Sequence, residues 1–156
     1  MNVINVFDDE WEEIYPPTEG WLSNTRRIAP GRTLGMSLYE LLPRQTQCPY
    51  HFHHGTEELL LVLSGAPTLR TSEGERELKA GDTVHFPTGP EGAHQVINRT
   101  DEPARYVVVD AKASPEIVQY PDSRKLAAMS RGETLFWSIH RLDAEVDYFD
   151  GENPGT

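Results

Sequence analysis

Short apolar runs separated by turn residues fill the middle of this chain. Gly and Pro number 12 each, and they stand between runs that favour β-strands. Residues 71–75 carry the polar and Gly pattern of a hairpin turn. The predicted strands are residues 33–42, 58–64, 67–71, 76–79, 83–86, 95–98 and 105–109. Strands this short and this evenly spaced predict an all-β sandwich or barrel.

The two ends of the chain carry weaker patterning. Residues 123–129 are predicted to form one helix, with Ser123 as its N-cap. A length of 156 residues favours a single domain. We therefore predict one domain over residues 1–156, with a barrel core at about 30–112 and arms at 1–29 and 113–156 that wrap around it.

Negative charge is concentrated at the ends of the chain. The formal net charge is −11, and residues 1–20 and 143–156 hold six and five acidic residues with no Lys or Arg. The stretch between them is therefore neutral. Nucleic acid and anionic membranes both require a basic surface, so neither is expected as a partner.

Cysteine content and hydropathy favour a cytoplasmic location. Cys48 is the single cysteine, which excludes an internal disulfide and fits a reducing compartment. The longest apolar run, residues 59–63, is far shorter than the ~18 residues of a membrane span. The first residues lack the basic and apolar regions of a signal peptide.

A histidine-rich segment carries the first half of the candidate chemistry. Side chains alternate across a strand, so His51 and His53 share a face and can hold one metal ion between them. Glu58 shares its strand face with Leu60 and Val62. A carboxylate directed into a barrel interior is costly unless it is paired or binds a cation. Glu58 is therefore a ligand candidate, with His54 and Glu57 as the competing neighbours.

The second half lies between residues 81 and 98. Gly81 and Asp82 form a turn, residues 83–86 form a strand, and residues 87–92 form a loop that leads to His94. His94 stands at the start of the returning strand and supplies a third imidazole. His85 is a competitor that is expected to pack or to face solvent.

These two segments resemble the paired motifs of the cupin superfamily. The matching residues are His51, His53, Glu58 and Gly65 in the first motif, and Gly81, Pro87, Gly89, His94 and Asn98 in the second. The loop from Gly89 to His94 has four intervening residues where the common motif has two. Residues 120–123 and 147–152 are similar to segments of small stand-alone bacterial cupins of unassigned activity.

The resemblance implies a double-stranded β-helix, or jelly-roll barrel, with one metal held by His51, His53, Glu58 and His94. A mixed nitrogen and oxygen donor set suits a divalent Mn, Fe, Ni or Zn ion. Four protein ligands leave open positions at which a metal can polarise a substrate oxygen or activate water.

Two kinds of function are compatible with such a site. Resemblance to isomerase, dioxygenase and decarboxylase cupins implies a metal-dependent enzyme on a small oxygen-rich substrate, such as a sugar phosphate or a carboxylic acid. The alternative is a non-catalytic cupin that binds metal and a small ligand as a sensor or store. A titratable residue in the pocket, other than the four ligands, would favour the enzyme. Inward cations for an anionic substrate are expected among Arg70, Arg99 and Arg105.

Other reactive or aromatic residues have structural interpretations. Cys48 is expected to be a buried, inert thiol rather than a thiolate ligand. His140 is expected to be structural or exposed. Trp11, Trp21 and Trp137 are expected to anchor the arms by packing.

The strand at residues 58–64 also predicts self-association. Leu60 and Val62 point inward, which places Leu59, Leu61 and Leu63 on the opposite face. A strand with one face in water normally alternates apolar with polar residues. Either an arm or a second subunit must cover these leucines. We predict a homodimer, since symmetric dimers are the commonest oligomers.

Overall fold

The computed structural model describes residues 3–12, 18–21, 23–130 and 136–155, and this part of the chain is built from β-strands. The strands are β1 Ser23–Pro30, β2 Leu34–Leu41, β3 Phe52–His53, β4 Glu57–Ser64, β5 Thr68–Thr71, β6 Gly74–Glu77, β7 Thr83–Phe86, β8 Gln95–Ile97, β9 Ala104–Ala111, β10 Glu116–Tyr120, β11 Lys125–Ser130 and β12 Phe136–Arg141. A 3₁₀ turn at Pro90–Gly92 is the one helical element within the described ranges.

The strands form three antiparallel sheets. The first has five strands in the order β1-β2-β9-β4-β7, the second has four in the order β12-β11-β10-β3, and the third has three in the order β6-β5-β8. An antiparallel bridge between His51 and His94 connects the second sheet to the third. This arrangement is the predicted double-stranded β-helix, so the fold-class prediction is confirmed.

The main core lies between the five-stranded and three-stranded sheets. Alternation along β4 and β9 turns one face of each strand inward, as the burial of Leu60, Val62 and Tyr106 shows. The core cluster consists of Leu41, Leu60, Val62, Leu69, Leu78, Phe86, Val96 and Tyr106. Because Glu58 lies on the same inward face of β4 as Leu60, the core fixes the direction of its carboxylate.

The seven strands predicted from sequence are all present, with small changes at their ends. The largest change is at β6, which begins at Gly74 rather than at residue 76, so the hairpin turn is shorter than predicted. Five further strands, β1, β3, β10, β11 and β12, were not predicted. Most of them lie in the proposed arms, and the single-domain boundaries at 1–156 stay a prediction.

The predicted helix at residues 123–129 is wrong. Its segment forms β11, which pairs with β10 on one side and with β12 on the other. Ala, Leu, Lys and Met favour a helix locally, but hydrogen bonding to two neighbouring strands overrides that weak preference. Ser123 lies in the turn between β10 and β11, where Arg124 has a positive φ of 50°, and does not cap a helix.

An N-terminal segment is held against the five-stranded sheet through Arg105. The guanidinium of Arg105 donates hydrogen bonds to Asp9 and Glu40, at 2.7 Å each. It also lies 5.0 Å from the ring centroid of Trp11. Trp11 therefore packs against the barrel as predicted, whereas Trp21 and Trp137 are 41% and 49% exposed.

The outer face of β4 is only partly covered. Leu59 is 45% exposed, while Leu61 and Leu63 are half-buried. Leu34 on β2 is 56% exposed, and the pairing of β2, β9 and β4 places Met36 and Val109 in a row with Leu59. An apolar patch therefore remains on this sheet. In the described ranges no helix has the length and apolar character that crossing a membrane requires.

Gly65 allows the chain to leave β4 close to β9. Its φ is +78°, and a Cβ atom there would lie 2.6 Å from the Pro103 carbonyl oxygen and 2.7 Å from the Ala104 Cα atom. Both are backbone atoms, which cannot move aside cheaply. We predict that Gly65→Ala lowers the free energy of unfolding by at least about 2 kcal/mol, measured by urea denaturation.

Gly81→Ala is the matched control, since Gly81 has a similar φ of +91° but nothing within 4 Å of its Cβ position. It should carry the backbone strain without the clash and lose less stability. Equal denaturation midpoints for the two variants would contradict this account.

Candidate metal centre

The bridge between His51 and His94 places two imidazoles side by side. The His51 amide donates to the His94 carbonyl at 3.1 Å, and the His94 amide donates to the His51 carbonyl at 2.9 Å. Direct partners in an antiparallel pair project their side chains to the same face. The two ring centroids are 4.7 Å apart.

Backbone carbonyls fix which nitrogen of each ring is protonated. The Nδ1 atom of His51 lies 2.9 Å from the Pro49 oxygen, and Nδ1 of His94 lies 2.8 Å from the Gly92 oxygen. A carbonyl accepts only, so each Nδ1 carries the proton and each Nε2 keeps its lone pair. The Phe86 ring stacks on His94 with centroids 3.6 Å apart and holds it in place.

His53 and Glu58 complete the group. Glu58 Oε2 lies 3.6 Å from His53 Nε2 and 3.5 Å from His94 Nε2. Ligand atoms of His51, His53 and Glu58 all lie within 4.8 Å of one another. His94 contacts this group of three through the distance between its Nε2 atom and the Glu58 carboxylate. The four residues that the sequence predicts as metal ligands therefore lie close together in the structure.

The donor set fits a divalent transition metal. Imidazole nitrogens and one carboxylate oxygen are ligands that Mn, Fe, Ni and Zn share, so the donors do not select among these ions. The His51, His53 and Glu58 side chains are close enough for their donor atoms to converge on one ion. A cluster that could hold a metal ion is therefore present.

Glu116 is a buried carboxylate behind His53 that sequence analysis missed. It is 1% exposed, and its Oε1 accepts hydrogen bonds from the amides of His54 and Gly55 at 3.2 and 3.1 Å. Thr56 donates to Oε2, and Oε1 lies 3.8 Å from His53 Nδ1. Glu116 therefore anchors the turn after His53 and presents negative charge to the far side of its ring.

The competing ligands point elsewhere. His54 is exposed and its Nε2 lies 3.3 Å from the Gln119 side-chain oxygen. Glu57 and His85 pair with each other on the outer face, with His85 Nε2 at 3.4 Å from Glu57 Oε2. His140 is exposed and bonds to Ser138. None of these four side chains is part of the cluster.

Cys48 lies beside the cluster as a protonated thiol. Its Sγ atom is 3.5 Å from His51 Nδ1, the nitrogen that also lies 2.9 Å from the Pro49 oxygen. Burial raises the pKa of the Cys48 thiol far above its ordinary value, and the charge of Glu58 raises it further. A thiol held protonated in this way is a poor nucleophile and a poor ligand.

The three arginines nominated for an anionic substrate are engaged elsewhere. Arg70 donates to both carboxylate oxygens of Asp122, at 2.6 and 3.0 Å. Arg99 pairs with Glu75, and Arg105 with Asp9 and Glu40. Their positive charge stabilises contacts between segments of the chain.

Burial keeps His51 and His94 neutral. Loss of hydration lowers the pKa of His51 to about 3, with the neighbouring His94 and His53 adding to the effect. Loss of hydration also lowers the pKa of His94 to about 4, against the hydrogen bond to Gly92. Protons therefore compete with a metal for these nitrogens only well below the ordinary histidine range.

Comparison with known proteins agrees with this geometry. The family model for the cupin domain matches residues 37–110, which include all four cluster residues. A sugar phosphate isomerase of the cupin superfamily from Silicibacter pomeroyi is 26% identical, with 91% of this chain and 95% of that chain covered and a TM-score of 0.75. The chain belongs to the cupin superfamily.

Two other solved structures are similar. A protein from Acidithiobacillus ferrooxidans, provisionally assigned as a sugar phosphate isomerase, is 26% identical over 82% of this chain and 81% of that chain, with a TM-score of 0.73. The polyketide cyclase RemF from Streptomyces resistomycificus shares the fold at 21% identity, over 74% and 83% of the two chains, with a TM-score of 0.60. The curated proteins include no significant match to this chain.

The lowered histidine pKa values predict acid sensitivity of the metal-free protein. His51 and His94 stay neutral in the fold down to about pH 4, whereas the unfolded chain binds protons below about 6.5. The free energy of unfolding should therefore fall as pH decreases from 6.5 towards 4. Urea denaturation at a series of pH values measures this slope.

The variant His94→Gln should flatten the slope, because it removes one group that must be neutral in the fold. His140→Gln serves as the control, since His140 is exposed, and it should leave the slope unchanged. A slope that is the same in the wild type and in His94→Gln would contradict the assignment.

Proposed function

We propose that this protein is a metal-dependent enzyme that acts on a small oxygen-rich molecule, with sugar phosphate isomerisation as the first reaction to test. The observation that carries the proposal is the convergence of His51, His53 and Glu58 inside the barrel, with His94 Nε2 3.5 Å from the Glu58 carboxylate. His51, His53, Glu58 and His94 would hold one divalent Mn, Fe, Ni or Zn ion. Such an ion supplies a Lewis acid for a substrate oxygen.

Other titratable groups on the same inner surface favour an enzyme over a sensor or store. Asp110 on β9 is the direct cross-strand partner of Glu58 on β4. Tyr106 on β9 is the partner of Val62, which lies on the same face of β4 as Glu58. Both therefore share the inward face that carries Glu58. Their carboxylate and phenol are groups that can accept and donate protons beside a bound substrate.

Tyr106 is suited to donate a hydrogen bond to a ligand. Its hydroxyl is buried, and among the described residues it has no hydrogen-bond partner. Burial raises the pKa of Tyr106 well above its ordinary value, with Cys48, Tyr39 and Glu58 adding to the effect. The hydroxyl therefore keeps its proton and can offer it to a substrate oxygen in the barrel.

The comparisons support the choice of substrate class. Two similar proteins, each 26% identical to this chain over most of both lengths, carry the name sugar phosphate isomerase, one of them provisionally. An aldose–ketose interconversion needs a polarised carbonyl oxygen and a group that moves a proton between neighbouring carbons. The metal cluster and Asp110 would supply these two functions.

Metal binding is the first requirement of the proposal. We predict that the purified wild-type chain binds one equivalent of Mn²⁺ or Zn²⁺ and gains thermal stability on binding. His53→Ala should lose tight binding yet remain folded, because the core is made by Leu and Val side chains of other strands. Calorimetric titration and circular dichroism measure the two properties.

The variant His85→Ala is the matched control, since His85 lies outside the cluster; it should bind metal like the wild type. The same metal-loaded preparations are then screened with phosphorylated aldoses and ketoses in D₂O. Interconversion with deuterium entering the carbon next to the carbonyl supports the enzyme. Tight metal binding without turnover of any of these sugars would instead indicate a non-catalytic sensor or store.

We also propose that the chain forms a homodimer in the cytoplasm. The single Cys48 fits a reducing compartment. The outer patch of Leu34, Met36, Leu59 and Val109 offers an apolar surface that soluble monomers usually cover. Two copies related by a two-fold axis would bury this patch against itself.

Light scattering after size exclusion tests the dimer. The wild type is predicted to elute with twice the chain mass of 17.6 kDa, and Leu59→Glu with the mass of one chain, because a buried charge opposes association. Ile117→Glu is the control, since Ile117 is 40% exposed on another sheet. A wild-type particle of one chain mass would contradict the proposal.

A further inference from the structure

The inner face that carries His51 and His53 continues outward along the four-stranded sheet. His53 pairs with Val118 of β10, which pairs with Ala127 of β11. Because partners across a sheet share a face, His51 and Tyr120 lie on this same surface one step along their strands. Their rings stack with centroids 6.1 Å apart.

Two cations follow in the same row. Tyr120 pairs with Lys125, and Lys125 pairs with Arg141 of β12. The Lys125 Nζ atom lies 5.6 Å from the centroid of the Tyr120 ring, which confirms that the lysine projects to this face. The row therefore runs from a cluster histidine through an aromatic ring to two positive charges.

Placing Lys125 directly opposite Arg141 is unfavourable by itself. Like charges that face each other across a sheet are destabilising. In the described ranges neither side chain forms an ion pair with a carboxylate, whereas Arg44, Arg70, Arg99 and Arg105 all do. Asp122, which lies in the turn between these strands, is already held by both nitrogens of Arg70. An anion from outside the chain would remove this repulsion.

The separation between the two cations and the cluster matches a small phosphate ester. Two successive contacts, of 6.1 and 5.6 Å, separate the Lys125 ammonium from the His51 ring. A phosphorylated pentose or hexose is long enough to place its phosphate at one end of this path and its carbonyl at the other. Lys125 is half-buried and Arg141 is exposed, so the phosphate could enter from solvent.

We propose that Lys125 and Arg141 form the binding site for the phosphate of a sugar phosphate whose other end reaches the histidine cluster, with Tyr120 as the wall between them. This inference rests on the proposed function, since it names the substrate's anionic end. Arg141 offers a guanidinium fork and Lys125 a point charge, and both are established phosphate binders.

The test compares ribose 5-phosphate with ribose by calorimetric titration of the Mn²⁺-loaded protein. The wild type should bind the phosphate ester at least about tenfold more tightly, the preference that charge-assisted hydrogen bonds provide. The double variant Lys125→Ala, Arg141→Ala should reduce this preference to within about twofold. Circular dichroism confirms that the variant is folded.

The double variant Arg76→Ala, Lys79→Ala is the matched control. It removes one exposed arginine in β6 and one exposed lysine just after it, on a different sheet from Lys125 and Arg141, and it should retain the full preference. Equal affinity of the wild type for the two sugars, or a preference that survives loss of Lys125 and Arg141, would overturn the inference.

A titration of the metal-free protein with inorganic phosphate separates this inference from the proposed function. Backbone amide resonances of Lys125 and Arg141 should shift with phosphate in the wild type, whether or not the cluster binds metal. If these shifts occur but no metal binds, the phosphate site stands and the metal-dependent function fails. If metal binds but these resonances do not move, the phosphate site fails alone.

Discussion

The reciprocal hydrogen bonds between His51 and His94 are the constraint on which the rest of this structure depends. They close the four-stranded sheet onto the three-stranded sheet, and they force two imidazoles to the same inner face. Each ring then donates its Nδ1 proton to a carbonyl of its own chain segment, which leaves both Nε2 atoms available as ligands. One short ladder thus closes the barrel and orients two of the four candidate ligands. A change that opened it would disturb fold and site together.

The two acidic side chains of the site, Glu58 and Glu116, have different surroundings. Glu58 lies between the Nε2 atoms of His53 and His94. Glu116 accepts two backbone amides and the Thr56 hydroxyl on the far side of His53. Desolvation of an isolated carboxylate is expensive, and the three donors explain why Glu116 can be buried. Glu58 instead faces the Nε2 lone pair of His94, an arrangement that a bound cation would stabilise. His53 lies between these two carboxylates, with Nε2 3.6 Å from Glu58 and Nδ1 3.8 Å from Glu116.

The strands and inward-facing site residues in the centre of the chain could be predicted from the sequence, because the alternation of side chains there agrees with the fold. Alternation placed His51, His53 and Glu58 on inward faces, and the same rule would have found Glu116, which shares a strand face with the buried Val118. The C-terminal strands could not be predicted, since residues 123–129 favour a helix locally and only pairing with β10 and β12 makes them extended. That error also hid Lys125 and Arg141, because a helix would not have placed them opposite each other.

The most direct test of the central claim is X-ray absorption spectroscopy of the chain reconstituted with one equivalent of Zn²⁺. The account predicts a shell of nitrogen and oxygen atoms at about 2.0–2.2 Å, with the multiple scattering of three imidazoles. His94→Gln should reduce that imidazole count by one. Two results would contradict the assignment of His51, His53, Glu58 and His94 as the metal centre. One is a sulfur atom at about 2.3 Å from the zinc, which only Cys48 or a methionine could supply. The other is an unchanged spectrum in the His94→Gln variant.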